Sequence, residues 1–278
     1  MKQFGMLGGA AAALMFASLV NPASPRAQAA PAAAPAQSPV YTLPKRRRIV
    51  VMRHGDVAYF TADGKPVPNS DLVVLTQKGR DQADAAGKYL TAAGFIKFDR
   101  VISSNLPRTV ETAERALAAA GIAAPVVQEP ALREIKAASA WRAVPLAEVP
   151  PIFLAMTKPF VAPETPFIGG ETVGDMQKRV YGAIDALMAD QSWDTALLVL
   201  HAVVNGAIIS RAVTGGTSYL GRLESGAGCL HILDAGAASG DWVLRAYNVC
   251  PVAADYQASR SLVLETLLSQ AMRARQGN

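Results

Sequence analysis

The stretch RIVVMRHG, residues 48–55, is the part of the chain that decides the fold. Its first half is a short β-branched, apolar run, which predicts a buried strand over residues 48–52. Gly55 bounds the run, and Arg53 and His54 stand between the strand and this glycine. The sequence therefore places a fixed cation and an imidazole at the end of a buried strand.

Strand-like and helix-like segments alternate after this first strand. Apolar spacing, together with glycine and proline boundaries, predicts the remaining elements in chain order: a helix over 76–93, a strand over 98–103, a helix over 107–120, a short strand over 125–128, a helix over 172–190, a strand over 196–200, a helix over 203–213, a hairpin of 227–233 with 242–248, and a helix over 261–273. This alternation favours an α/β fold, a three-layer α/β/α sandwich with a mostly parallel sheet.

The segment over about 135–170 breaks the alternation, because it is irregular and rich in proline. We interpret it as an insertion with one or two short helices that covers part of the domain as a lid. Four aromatic residues are candidates either for an apolar substrate wall near this insertion or for ordinary packing: Phe60, Trp141, Phe153 and Phe160.

The N-terminal residues have the pattern of a secretory signal peptide over 1–29. A positive start precedes the uncharged apolar run 4–20, and an Ala-Gln-Ala site ends at Ala29. An uncleaved membrane anchor is the alternative, but the run is shorter than the roughly 20 residues that a spanning helix needs. An Ala/Pro-rich linker over 30–44 and a catalytic domain over 45–278 are expected to follow.

Composition and charge narrow the class of protein. Of 278 residues, 51% are hydrophobic and 18% charged, enough for one large core or two small ones. Loss of Lys2 and Arg26 with the signal peptide leaves 25 bases against 22 acids, a net charge of +3. This balance argues against nucleic-acid binding. The basic cluster over 45–48 is interpreted as a solvated edge before the first strand.

The predicted export of the protein bears on whether its two cysteines form a disulfide. Since no later stretch of the sequence is a candidate membrane span, the mature protein is expected to be soluble in the periplasm or secreted. Export permits a disulfide between Cys229 and Cys250, yet simple hairpin register does not place these residues opposite each other. The sequence leaves the disulfide and the oligomeric state open, and it shows no metal-ligand spacing.

Polar residues at three predicted strand ends are expected to converge, because sites in such sheets form beyond the carboxyl ends of the strands. These are Arg53 with His54, the segment 104–108, and His201. Neutral imidazole is a competent nucleophile toward phosphorus, and arginine provides a planar fork for phosphoryl oxygens. Arg108 also lies in a first helical turn, which favours an anion. His201, if protonated, would supply a third positive group. For each arginine taken singly, an ordinary surface ion pair is the favoured interpretation, and it is the combination that points to an anion site.

The chain resembles the histidine phosphatase superfamily, in its phosphoglycerate-mutase-like branch. Six motifs carry the resemblance in the family's order: Arg53-His54-Gly55, the helix start over 75–83, the second-arginine motif over 103–113, Leu132-Arg133-Glu134, Gly170-Glu171-Thr172, and Leu198-Val199-Leu200-His201.

The resemblance implies a role for each matched residue. His54 becomes phosphorylated, and Arg53, Arg108 and His201 form the phosphate pocket. Glu134 protonates the leaving oxygen and then activates the water that hydrolyses the phosphohistidine. The alternative to this catalytic role is that Glu134 is an exposed loop carboxylate with a structural role. The family chemistry needs no metal and no cofactor.

Two further residues are candidate substrate contacts, Asn105 in the second-arginine motif and Glu171. Glu171, Asp175 and Arg179 also fall at positions i, i+4 and i+8 of one helix face, which favours an ion-paired structural stripe. His231 lies inside a predicted strand, so we interpret it as structural.

Departures from the mutase pattern favour hydrolysis over phosphate shuttling. Mutases of the family continue Arg-His-Gly with Glu-Ser and then Trp-Asn, whereas this chain has Asp56-Val57 and Tyr59-Phe60. Residues 135–138 replace the glycine-rich segment that mutases carry after the catalytic glutamate, and an exported protein would lack the bisphosphoglycerate that primes a mutase. Ala202 follows the second histidine, in place of the acidic residue of the acid phosphatase and phytase branch.

The sequence therefore predicts an exported phosphomonoesterase that acts on a small phosphorylated molecule. Two alternatives are retained. One is a non-catalytic module that binds a phosphorylated ligand, and the other is a phosphotransferase or mutase.

Overall fold

A computed structural model describes residues 41–252 and 260–276. The predicted signal peptide over 1–29 and most of the predicted linker lie outside these ranges. The helices and strands follow the predicted order: β1 Arg46–Arg53, α1 Gln77–Ala92, β2 Arg100–Ser103, α2 Pro107–Ala120, β3 Val126–Gln128, α3 Val149–Leu154, α4 Val173–Ala189, β4 Thr195–Leu200, α5 Ala202–Thr214, β5 Leu230–Gly236, β6 Trp242–Val249 and α6 Val263–Gln276. Across the described ranges, no helix has both the length and the apolar character needed to cross a membrane.

Local sequence signals explain where the helices begin and end. The Thr76 hydroxyl accepts a hydrogen bond from the Gly79 amide and caps α1, and Thr172 caps α4 in the same way. Pro107 occupies the first position of α2, where its missing N–H costs nothing. Gly121 ends α2 with a φ of 68°, in the left-handed region that glycine adopts readily.

The six strands form one mixed sheet in the order β3-β2-β4-β1-β5-β6. Strands β3, β2, β4 and β1 are parallel, whereas β5 pairs with β1 and with β6 in the antiparallel sense. The predicted three-layer sandwich with a mostly parallel sheet is confirmed. The centre of the sheet is β4-β1, the two strands that precede His201 and His54.

Both faces of the central strands are buried, as the apolar run over residues 48–52 predicts. In β1, Val50 and Met52 pack with α1 and α2 on one face. Ile49 and Val51 face the opposite layer, which α4 and α5 form together with parts of the insertion and α6. The period-two alternation of side chains thus divides the core into two clusters.

The predicted insertion contains the short helix α3 and several single 3₁₀ turns, in agreement with its proline content. Its aromatic residues Trp141 and Phe153 contact each other edge to face, with ring centroids 5.2 Å apart. The guanidinium of Arg275, near the end of α6, donates to the carbonyls of Trp141 and Val144. The insertion and α6 therefore pack as neighbours.

The interpretation of residues 45–48 as a solvated edge before the first strand holds for the exposure of Lys45 and Arg48 but is wrong for Arg47. Arg46, Arg47 and Arg48 belong to β1, and Arg47 is only 7% exposed. Its guanidinium lies 4.1 Å from the Trp193 ring centroid and donates to the Met188 and Asp190 carbonyls. Arg46 and Arg48 pair with aspartates of the β5–β6 hairpin. The strand begins earlier than predicted because these long side chains have partners.

Cys229 and Cys250 form a disulfide, a point that the sequence left open. Trp242 pairs with Ala235 at the turn end of the hairpin, a register that, continued without change, would set position 248 opposite Cys229. Two register shifts within β5–β6 displace the pairing by two residues, so that Val249 pairs with Leu230. Cys250 then lies opposite Cys229. The bulges, which simple register does not include, make the disulfide possible.

Candidate active site

The residues that follow β1 and β4 converge at the carboxyl edge of the sheet, as predicted. Because β1 and β4 are neighbours in parallel register, the His54 and His201 rings meet edge to face with centroids 5.2 Å apart. His54 is 2% exposed, and His201 is fully buried. The segment after β2 joins them, since the Ser104 hydroxyl lies 2.8 Å from His201 Nε2.

His54 is held in one tautomer by the backbone. Its Nδ1 lies 2.7 Å from the Gly55 carbonyl oxygen, which can only accept, so Nδ1 carries the hydrogen and Nε2 keeps a lone pair. Burial lowers the pKa of His54 well below its usual value, and the charges of Arg53 and Arg108 lower it further. The ring is therefore neutral, and its Nε2 is available as a nucleophile.

The turn after His54 requires glycine because the start of α1 approaches it closely. A Cβ atom at Gly55 would lie 2.2 Å from the Gly79 carbonyl oxygen, and one at Gly79 would lie 2.2 Å from the Asp56 carbonyl oxygen. The Gly55 amide donates to the Thr112 hydroxyl of α2. These contacts fix the backbone that orients the His54 ring.

Arg53 and Arg108 are buried guanidinium groups that form no ion pair with a carboxylate in the described part of the chain. Arg53 is 9% exposed and Arg108 is 3% exposed. Each donates to a backbone carbonyl, Arg53 to Ser225 and Arg108 to Ser70, and the Nε of each is buried without a partner among the described residues. A buried, uncompensated cation is costly, so two of them side by side form a site for an anion.

His201 offers one more nitrogen to the same site. Its Nε2 contacts Ser104, whose hydroxyl also contacts Thr109 at the start of α2, and its Nδ1 is buried with no partner in the described part of the chain. Burial and then the charge of Arg108 lower the pKa of His201 well below its usual value. The ring is thus neutral. It can contribute an N–H to the site, but not the positive charge that a protonated His201 would supply.

Glu134 is the carboxyl group of the site. Its two oxygens accept from the Ile135 amide at 3.0 Å and from the Val203 amide, in the first turn of α5, at 3.2 Å. Burial raises the pKa of Glu134, although these amides and the charges of Arg108 and Arg53 oppose the shift. A carboxyl group with a raised pKa suits a general acid.

A hydrogen-bonded group behind Arg53 supports its position. The Ser225 hydroxyl accepts from Asn205 Nδ2 and contacts His231 Nε2 at 2.9 Å, and the Asn248 amide donates to His231 Nδ1. His231 is fully buried, and burial lowers its pKa to about 4. The structural interpretation of His231 fits this position, because it acts through Ser225 on the loop that holds Arg53.

A cavity of about 470 Å³ opens at this edge of the sheet. Its walls include Arg53, His54, Arg108 and Glu134, while His201 lies buried against the His54 ring. Three of the four aromatic candidates also line it, namely Phe60, Trp141 and Phe153. The fourth, Phe160, is 71% exposed and does not line the cavity, so its assignment to the wall is wrong.

The two further candidate substrate contacts, Asn105 and Glu171, do not line the cavity. Glu171 accepts from Arg179 Nε at 2.7 Å, and Arg179 also donates to the Arg133 and Glu134 carbonyls. This pair supports the segment that carries the Glu134 carboxyl group, which is a structural role. Asp175 takes no part in the stripe, because its amide and carboxylate bond to Thr172. Geometry gives no support to Asn105 or Glu171 as substrate contacts.

Several lining residues were not assigned to the site from the sequence. Tyr59 lines the cavity, and burial raises the pKa of its hydroxyl, so it remains a hydrogen-bond donor. Ser225, Leu264 and Leu267 also line it. Tyr59 was within reach of sequence reasoning, because it lies just after the first motif, whereas the other three lie far along the chain in segments without a motif.

Within residues 41–252 and 260–276, no group of three or more histidine, cysteine or acidic side chains has the arrangement of a metal site. The groups that converge beside His54 are nitrogen groups of arginine and histidine, with the Glu134 carboxyl group near them. Such a set binds an anion rather than a metal cation.

Comparisons with known proteins give a consistent result. A family model described as "Histidine phosphatase superfamily (branch 1)" matches residues 49–249. A 2-carboxy-D-arabinitol-1-phosphatase of Triticum aestivum is 38% identical over 80 residues, which are 29% of this chain and 15% of that protein. A protein of Arabidopsis thaliana named as a probable enzyme of the same kind is 28% identical over 64% of this chain. The match covers 36% of that relative, so this chain spans well under half the length of either.

Solved structures share the fold. A protein titled mycobacterial hydrolase 1 superposes with a TM-score of 0.59 at 22% identity, over 74% of this chain and 100% of its own. A mycobacterial glucosyl-3-phosphoglycerate phosphatase gives a TM-score of 0.59 at 20% identity, over 73% of this chain and 99% of its own. At these identities the likeness establishes the architecture alone.

Proposed function

Because the chain belongs to the histidine phosphatase superfamily, we propose that it hydrolyses phosphate monoesters through a phosphohistidine at His54. The observation that carries the proposal is a pair of buried guanidinium groups, each with an Nε that has no partner among the described residues, near a neutral imidazole whose Nε2 is free. These groups match what a phosphoryl group needs, namely fixed cationic donors around its oxygens and a nucleophile in line with the ester bond.

The first step transfers the phosphoryl group from the ester oxygen to His54 Nε2. Arg53 and Arg108 bind the phosphoryl oxygens through N–H groups that the protein leaves unpaired. Ser104 can donate to His201 Nε2, which leaves Nδ1 as a further N–H donor toward the anion. Glu134, protonated because of its raised pKa, gives its proton to the departing alcohol.

The second step returns the enzyme to its starting state. Glu134, now a carboxylate, takes a proton from a water molecule, and the resulting hydroxide attacks phosphorus and breaks the P–N bond. Inorganic phosphate leaves, and Glu134 ends the cycle protonated. The two amides that bond to Glu134 hold the carboxyl group in the same place for both steps.

Two observations favour this chemistry over the alternatives. A binding module needs the guanidinium groups but not a His54 tautomer with a free Nε2. A mutase must hold the dephosphorylated product for a second transfer, and Phe60 lines the cavity at the position where mutases of the resembled branch carry an asparagine.

Export of the protein is a further part of the proposal. It is supported by the signal-like residues 1–29 and by the Cys229–Cys250 disulfide, because disulfides persist mainly in oxidising compartments. The proposed location is the periplasm or the exterior of the cell.

The test is a panel of phosphomonoesters assayed with the wild type and with His54→Ala. We expect turnover by the wild type, an acid-labile and base-stable phosphorylated protein, and loss of both in the variant. Thermal unfolding of both proteins shows that the variant is folded. Absence of turnover across the panel would favour a binding module, and undiminished turnover by His54→Ala would assign the nucleophile elsewhere.

A further inference from the structure

The cavity has a second half that the proposed reaction does not use. Beyond the phosphate-binding groups, part of its wall is apolar, and three parts of the chain contribute most of that part: the loop after β1, the insertion and helix α6. The principal side chains of this apolar wall are Phe60, Trp141, Phe153, Leu223, Leu264 and Leu267.

Polar side chains near the apolar wall are already bonded to the protein or exposed to solvent. Asn69 Oδ1 accepts from the Asp71 amide at 2.9 Å, and the Glu224 carboxylate accepts from the Val263 amide at 3.3 Å. Lys136, Ser139 and Arg142 are exposed. A hydroxyl group placed against the apolar side chains, away from the Tyr59 hydroxyl beside Arg53 and Arg108, therefore has few buried polar partners.

The separation of polar from apolar side chains along the cavity discriminates between classes of phosphate ester. A polyol or sugar group would leave several hydroxyls without partners, and each buried hydroxyl left unpaired lowers affinity by about tenfold. A hydrocarbon group gains affinity from the same wall, by roughly fourfold for each methylene removed from water. The cavity of about 470 Å³ has room for such a group beside the phosphoryl oxygens.

We propose that the substrate is the phosphate monoester of an apolar alcohol, whose hydrocarbon group lies between the insertion and α6. The inference rests on the proposed function for the reaction, but it concerns what the cavity selects. The phosphoryl group occupies the end of the cavity that holds Arg53 and Arg108. The aryl-alkyl or branched alkyl group contacts Trp141, Leu264 and Leu267.

Helix α6 is the part of the wall that lies outside the residues matched by the family model. It begins at Val263, beyond residues 49–249 that match the family model. It is fixed at both ends, at its start by Glu224 and near its end by Arg275, which donates to the Val144 carbonyl at 2.7 Å. Leu264 and Leu267 line the cavity, whereas Leu268 on the same helix packs against the core without lining it.

The first experiment measures binding alone, with inert phosphonates and calorimetry. The probes are 3-phenylpropylphosphonate and 3,4-dihydroxybutylphosphonate, which share the phosphonate and differ in the group that meets the wall. We expect the phenyl compound to bind at least about tenfold more tightly. Equal affinities, or a preference for the diol, would overturn the inference.

The second experiment tests the assignment to α6 with a matched pair of variants. Leu267→Ala should weaken binding of the phenyl compound by about fivefold to tenfold and leave binding of the diol unchanged. Leu268→Ala, an equal truncation one position along, should change neither. Leu264→Ala replaces the first variant if Leu267→Ala does not fold. A loss shared equally by both phosphonates would also overturn the inference.

Turnover of 3-phenylpropyl phosphate and glycerol 3-phosphate separates this inference from the reaction. Both are alkyl esters, so their leaving groups have similar reactivity. Selective phosphonate binding without turnover of either ester would defeat the proposed function and retain the inference about the ligand. Turnover of both esters with equal kcat/KM would retain the function and defeat the inference.

Discussion

The two ends of the cavity are built from different kinds of structure. At the reaction end, Arg53, His54 and His201 directly follow or end parallel strands. Backbone carbonyls hold the Arg53 and His54 side chains, and the Ser104 hydroxyl holds His201. At the apolar end, the wall comes from an irregular, proline-rich insertion and from helix α6. Apolar packing in one core cluster and the hydrogen bonds from Arg275 to the Trp141 and Val144 carbonyls join these two segments.

This difference teaches which part of the molecule can change without loss of the chemistry. The reaction end depends on the register of β1 and β4, where a small shift would separate the two histidines. The apolar end depends on side-chain packing between segments that the sheet does not fix. Substitutions there are expected to alter which ester is accepted, whereas substitutions at the reaction end alter every ester alike.

The largest expected effect comes from breaking the reaction end with Glu134→Gln. An amide cannot protonate the departing alcohol, so kcat for alkyl phosphates should fall by about 10³-fold whether the alcohol is apolar or polar. An aryl ester with a good leaving group needs less help in the first step. With such an ester, the variant should therefore release a burst of phenol and accumulate phosphohistidine, as stopped-flow absorbance measures.

The pH dependence of the wild type provides the control for this assignment. His54 reacts only when neutral, and its lowered pKa places that limit well below 6.5. In the first step Glu134 can act as an acid only when it is protonated, and its raised pKa extends the pH range of the protonated form upward from 4.5. The rate for an alkyl ester should thus be higher at about pH 5 than at about pH 8. The alkaline decline should vanish in Glu134→Gln; if it persists unchanged, another group is the acid.

The sequence was sufficient to predict the reaction end and insufficient for the apolar end, for a physical reason. Strand ends in a parallel sheet lie at one edge, so the positions of His54, Arg108 and His201 along the chain already imply that they meet. No such rule brings Leu267 and Trp141 to one wall of the cavity, because that arrangement depends on how an irregular segment packs against a helix distant in sequence. Trp141 was an expected wall residue, whereas α6 was not.

The errors have equally specific causes. Residues 45–48 resemble a solvated edge in sequence, and only the fold supplies Trp193 and the hairpin aspartates as partners for the arginines. The disulfide remained open because register shifts are not visible in the pattern of β5 and β6. Asn105 was selected with its motif, although its side chain does not line the cavity.

A smaller effect is expected from the Cys229–Cys250 disulfide, which lies behind the reaction end. The disulfide joins Cys229, whose carbonyl accepts from the Arg53 amide at 3.1 Å, to Cys250 after β6, with a sequence separation of 21. Closing a loop of this length contributes about 3 kcal/mol through the unfolded chain. Reduction should lower the free energy of unfolding in urea by about this amount.

The control for the disulfide is a double variant, Cys229→Ser with Cys250→Ser. It should show the lower stability of the reduced wild type and should not respond to a reductant. A reductant-induced loss in the double variant would show that the effect arises elsewhere. The apolar end has no corresponding covalent link within the described residues, since Cys229 and Cys250 account for the cysteines.

The smallest expected effect distinguishes two phenylalanines that the sequence treated alike. Phe60 lines the cavity and is partly buried, whereas Phe160 is 71% exposed and lies off the wall. Phe60→Ala should lower kcat/KM for 3-phenylpropyl phosphate by about fivefold and barely change that for glycerol 3-phosphate. Phe160→Ala should change neither value, since truncation of an exposed side chain rarely alters its surroundings. If Phe60→Ala slowed both esters equally, Phe60 would be acting on the reaction end through the turn after His54, and the division of the cavity into a reaction end and an apolar end would not hold on that side.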